Sequence, residues 1–199
     1  MSNALPGLPV RLTLTLALSI ALLATLVNVA DARVLRDGAG ADAATTIGGG
    51  AVAGTPLSKL TARGSKARLT RSGLAIPPAN APAKVQAVIR AGNKIAKKPY
   101  KWGGGHGRLR DSGYDCSGSI SYALRKARLM TSSLASTGFM SWGRRGRGKW
   151  ITIRANAGHA YMVVAGLRFD TSASKRTGSR WSAQMRSARG YVATHPPGL

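Results

Sequence analysis

Apolar positions along this chain fall into three regimes. From Leu12 to Val29 they run together without a charge. Further on, Val85, Val88, Ile89 and Ile95 recur at helical spacing, with Lys84, Arg90, Lys94 and Lys97 on the opposite face. Asn80 stands where an N-cap belongs, Pro82 falls in the first turn and Pro99 closes this helix. Ile120, Ala123, Leu124 and Ala127 share one face of a second helix, which starts at Cys116 behind Asp115 as N-cap. From Trp150 the pattern turns to strands: Trp150 to Ile153, His159 to Val164, Leu167 to Thr171 and Gly190 to Thr194. Helices followed by a meander of strands predict an α+β fold, with an antiparallel sheet packed on the helices.

The first regime reads as a signal peptide over residues 1–32. Arg11 precedes the apolar run, and Ala30-Asp31-Ala32 offers the small-x-small cleavage pattern. A signal anchor is the alternative, since the run is nearly long enough to span a bilayer. Cleavage implies an exported protein, periplasmic or secreted, with no stable membrane insertion afterwards. Residues 33–80 read as a flexible linker: alanine and glycine first, then a basic stretch at Lys59, Arg63, Lys66, Arg68 and Arg71. Order is expected over residues 81–199.

Charge narrows the partners. The net charge is +24, no glutamate occurs, and the six acids are Asp31, Asp37, Asp42, Asp111, Asp115 and Asp170. Such a field favours polyanions, among them anionic cell-wall polymers. No nucleic-acid fold signature appears, so nucleic acid is not an expected partner. One cysteine in an exported chain excludes an internal disulfide and leaves a thiol that needs a use.

The position of Cys116 supplies that use. At a helix start, unpaired N–H groups and the positive end of the dipole favour thiolate over thiol. The same groups can donate to an oxyanion on an attacked acyl carbon. Ser117 and Gly118 are small enough to admit a substrate backbone. Of the three histidines, His106 lies in a glycine loop and His195 beside Pro196-Pro197, whereas His159 opens an apolar strand and is the expected base. Strand parity selects its orienting group. A two-residue turn at Ala165-Gly166 pairs Val164 with Leu167 and makes Asp170 the diagonal neighbour of His159; an odd loop would present Thr171 instead. Asp170 is preferred, with Thr171 in reserve.

Three blocks, Pro99-Tyr100-Lys101-Trp102-Gly103-Gly104, Gly113-Tyr114-Asp115-Cys116-Ser117-Gly118 and Gly158-His159-Ala160-Tyr161-Met162-Val163, resemble the NlpC-type cell-wall cysteine peptidases, a papain-like group. The resemblance covers residues 82–199. It implies a papain-like fold and the roles of nucleophile for Cys116, base for His159 and orienter for Asp170. Tyr100 would lie beside the thiolate. Trp102, Ser117 and Arg108 join it as expected substrate contacts, Arg108 through stem-peptide carboxylates. The substrates implied are peptidoglycan stem peptides, cleaved without metal or other cofactor. The chain departs from the pattern in its long loop between Trp102 and Cys116 and in the bulk of Tyr161 and Met162. Two rival readings are a basic non-catalytic binder of wall polymer or nucleic acid, and a same-fold amidase or acyltransferase acting on another bond.

Overall fold

The computed structural model describes Pro56, Leu57 and residues 59–199. The signal-peptide segment and the first part of the expected linker lie outside the described residues.

Helix α1 (Ala83–Ile95) buries Val85, Val88, Ile89 and Ile95, the stripe its spacing predicts. Its N-cap is Pro82 rather than Asn80, and no side chain caps it. Proline at this position has no N–H to satisfy and its fixed φ leads into the helix. Helix α2 (Cys116–Lys126) begins at the expected residue and packs against α1. A short helix α3 (Ser136–Phe139) follows.

The sheet is antiparallel and six-stranded. It comprises β3 (Arg144–Arg145), β4 (Ile151–Ala155), β5 (Ala160–Val164), β6 (Leu167–Phe169), β7 (Trp181–Ser182) and β8 (Val192–His195), in the order β3-β8-β4-β5-β6-β7. Helix α2 lies against β5, so the fold is the expected α+β arrangement of N-terminal helices on an antiparallel sheet. Ile151, Ile153, Met162, Val164, Phe169 and Trp181 meet the apolar faces of α1 and α2 in one core. Gly92 on α1 lets Trp181 approach closely, since a Cβ there would stand 2.7 Å from the indole. Among the described residues no helix is long and apolar enough to cross a membrane.

Two expectations need correction. Folded structure begins before residue 81. Strands β1 (Arg68–Leu69) and β2 (Ala75–Ile76) form a hairpin, and the side chain of Asn93 on α1 exchanges two hydrogen bonds, 2.9 and 2.8 Å, with the backbone of Ala75. Ala62, Ala67 and Ala75 are buried. Small side chains carry weak hydrophobic signal in sequence, yet they let backbone pack tightly against α1 and the Ala165 turn, where Ala67 N–H donates to Ala165 C=O at 2.8 Å. The strand expected to reach Thr171 also stops early, at Phe169. Asp170 then caps a helix, α4 (Thr171–Thr177). That segment is serine, threonine, lysine and arginine apart from Ala173, so it shows no apolar period to read.

Candidate active site

Cys116 owes its place to the carboxylate before it. Asp115 is extended, and its Oδ1 accepts the Gly118 N–H at 2.7 Å, the N-cap bond expected of it. Its Oδ2 accepts the Gly103 N–H at 3.1 Å, which ties the glycine loop to the start of α2. The loop is so close that a Cβ on Gly118 would stand 2.0 Å from Gly104 O. Behind this, the fully buried Arg180 spends its donors on one junction. Nε reaches Ser119 Oγ (3.0 Å), Nη1 reaches the carbonyls of Ile95 (2.7 Å) and Lys98, and Nη2 those of Pro99 (3.1 Å) and Tyr114 (3.0 Å). One guanidinium thus joins the end of α1, the Pro99 loop and the residue before Asp115.

His159 directly precedes β5, and its N–H is held by Asn156 Oδ1 at 2.8 Å. The Ala165-Gly166 turn has two residues at positive φ, 47° and 84°, and Val164 pairs with Leu167, Val163 with Arg168 and Met162 with Phe169. Both positive angles belong to the turn type whose twist suits a two-residue hairpin. Carried on past the ladder, this register makes Asp170 the diagonal neighbour of His159. Asp170 Oδ1 and His159 Nε2 are 3.0 Å apart. Thr171, the reserve, is instead the first residue of α4.

With Nε2 given to Asp170, Nδ1 remains for the thiol. Burial pushes the Cys116 thiol up, but hydrogen bonds from the His159 side chain and the Ala160 N–H, with the imidazole's charge, outweigh it; the thiol titrates below its ordinary value. Burial works against the His159 cation too, and the bonds to Asp170 and Cys116 reverse it, raising the imidazole to about 9. Burial likewise opposes the Asp170 charge, yet His159 and the Ser172 N–H hold the carboxyl well below the usual carboxylate range. A thiolate facing an imidazolium is the state these shifts favour.

A cleft of about 320 Å³ opens over Cys116, and Trp102, His106, Ser117, Ser136, Thr137 and Gly158 are among the residues that line it. Trp102 is 85% exposed at its mouth. Tyr100 is exposed as well; partial burial, then the charges of Cys116 and Asp115, raise its phenol, which puts it within electrostatic reach of the sulfur. Ser117 is present but its hydroxyl is buried, donating to Asp115 Oδ1 at 3.3 Å. Arg108 is exposed and is not brought to the cleft wall. His106, from the same loop, lines the cleft instead. Its Nε2 stands 3.0 Å from both oxygens of Asp115 and 3.3 Å from Ser117 Oγ. Its sequence signal was only its presence in the glycine loop.

Arg186 is a second group with no sequence signal. Nη1 lies 3.1 Å from Asp170 Oδ2, and the guanidinium sits 5.4 Å from the ring centres of both Tyr161 and Tyr191. Among the described residues no group of three or more His, Cys, Asp or Glu is placed to hold a metal. The arrangement is suited to acyl transfer: a low-pKa sulfur at a helix start, a proton-carrying imidazole, and a buried carboxylate behind it.

No family model matches the chain, and no curated protein matches it. Among solved structures, the peptidoglycan hydrolase RipB from Mycobacterium tuberculosis is similar to it, with 25% identity over 60% of this chain and 68% of that one and a TM-score of 0.45.

Proposed function

We propose that the protein is an exported, papain-like cysteine peptidase that hydrolyses amide bonds in peptidoglycan stem peptides. The observation that carries this reading is the line Cys116–His159–Asp170, in which the sulfur begins α2 and the imidazole holds a buried carboxylate at 3.0 Å on its far nitrogen. The substrate class comes from the sequence blocks around Tyr100, Cys116 and His159.

In this mechanism the Cys116 thiolate attacks the scissile carbonyl carbon. Negative charge develops on the carbonyl oxygen, where the N–H groups opening α2 stabilise it. His159 passes its proton to the leaving amine, and the C–N bond breaks to give a thioester on Cys116. A water then loses a proton to His159 and attacks the thioester. The carboxylic acid leaves and the thiolate–imidazolium pair is restored. Asp170 keeps the ring oriented throughout. The +24 charge supports a second, non-covalent partnership with anionic wall polymer, which would keep the enzyme on its substrate.

Purified peptidoglycan digested with wild type and with Cys116→Ser, followed by mass analysis of released fragments, tests the reading. Stem-peptide fragments with new amine and carboxyl ends should appear with wild type only. Equal release by both proteins overturns a cysteine mechanism, no release by either overturns the substrate, and transfer of an acyl group to an added amine in place of hydrolysis identifies an acyltransferase.

A further inference from the structure

Asp170 has two oxygens, and each is committed. Oδ1 faces His159 Nε2 at 3.0 Å and also accepts the Ser172 N–H at 2.9 Å. Oδ2 faces Arg186 Nη1 at 3.1 Å, with Arg168 Nε farther off at 3.8 Å. Arg186 is held in place independently of the carboxylate. Nη1 also reaches Ser172 Oγ at 3.3 Å, and the guanidinium is clamped by Tyr161 and Tyr191, whose rings pack 5.2 Å apart and flank the His159 ring at 6.5 and 6.4 Å.

We propose that Arg186 is a positioning residue that acts through Asp170 to keep His159 a usable proton donor. This rests on the proposed peptidase mechanism for its purpose, though not for its geometry. Asp170 does not need Arg186 to point at His159, because the N-cap bond to Ser172 already fixes that oxygen. What Arg186 contributes is a positive charge on the other one. A carboxylate shared with a guanidinium stabilises an imidazolium less than one reserved for it. The reaction asks His159 both to release a proton to the leaving amine and to take one from water, so an imidazolium held too tightly would be a poor acid.

The charged groups that bear on the pair are few. Cys116 on α2 and Asp170 favour the imidazolium, and Arg186 and Arg168 draw on the carboxylate. Asp115 acts on Cys116, and the Arg154 charge reaches Tyr161. Arg186 is the closest cation to Asp170 other than His159 itself, and at 32% side-chain exposure it is open to substitution without a cavity in the core.

The test is an NMR titration of the His159 ring in the full chain, which needs no substrate. Arg186→Met removes the charge and keeps an apolar stem on the two tyrosines; the His159 midpoint should rise by roughly half to one pH unit. Arg186→Lys keeps the charge and should return it most of the way. In stem-peptide hydrolysis, the Met variant should lose turnover with KM little changed, and the alkaline limb of the pH profile should move up. A midpoint that stays put or falls in the Met variant overturns the proposal even if activity drops, because a merely structural Arg186 would leave the titration unmoved. If the Met variant does not fold, Arg186→Gln gives the same readout. If wild type cleaves no peptidoglycan, the proposed function fails while the titration still decides the role of Arg186.

Discussion

His106 Nε2 stands 3.0 Å from both carboxylate oxygens of Asp115, the residue immediately before the cysteine. Cys116 is therefore flanked by two imidazole–carboxylate pairs with different duties. His159 with Asp170 acts on the sulfur, whereas His106 is hydrogen-bonded to Asp115, whose negative charge opposes ionisation of that sulfur.

Removing His106 takes a hydrogen-bonding ring nitrogen away from both oxygens of Asp115 beside Cys116. In His106→Ala the thiol should titrate higher than in wild type, and alkylation by iodoacetamide below neutral pH should slow several-fold. The fold should persist, because the N-cap bond from Gly118 and the bond from Gly103 remain on Asp115.

The opposite effect is expected at the other carboxylate. Asp170→Asn keeps a side chain able to cap α4 but removes the charge that holds the His159 proton. The imidazole should titrate lower than about 9, the alkaline limb of kcat/KM should move down, and turnover should fall by roughly 10²-fold or more. The melting temperature should fall as well, because the pairing that lowers Asp170 and raises His159 also stabilises the fold. Steady-state kinetics across pH, run beside a melt, check both parts.

Gly118 tests the close approach that seats the nucleophile. Gly118→Ala would put a Cβ 2.0 Å from Gly104 O, which is backbone and cannot swing aside. The variant should lose about 1–3 kcal/mol of stability by denaturant unfolding, as forced overpacking does. It should also alkylate more slowly, because the start of α2 must shift.

Arg180 tests the junction behind it. Arg180→Met fills much of the volume but leaves the carbonyls of Ile95, Lys98, Pro99 and Tyr114 without its donors. A loss of at least ~3 kcal/mol is expected, from unpaired buried acceptors at one site. Arg180→Lys, with three donors, should recover part of it.

These residues differ in how far the sequence disclosed them. Helices α1 and α2 were legible because their apolar positions follow a 3.6-residue period, and Asp115 because an N-cap has a side-chain requirement. The His159–Asp170 contact followed from counting: a two-residue turn fixes parity, and parity fixes which side chains share a face. The hairpin at Arg68 to Ile76 was not legible, since both residues of β1 are exposed and it is anchored through Ala75 and backbone bonds. Helix α4 carries no apolar stripe and depends on Asp170 at its cap and on Gly178, at φ 67°, to end it. Arg180 and Arg186 act through hydrogen bonds to residues 61 to 85 and 14 to 16 positions away in sequence, respectively, which no local pattern encodes. Arg108 and His106 sit two positions apart in one loop, and only the fold determines which of them reaches the cleft.

Whether Cys116 is a thiolate paired with the His159 imidazolium is read directly from the thiolate's ultraviolet absorbance across pH. In wild type the absorbance should already be present at neutral pH and rise with a midpoint below the ordinary thiol value, and in His159→Gln that midpoint should move up. A wild-type midpoint of ~8.5, the value of an unperturbed thiol, unchanged by His159→Gln, would mean that no such ion pair forms.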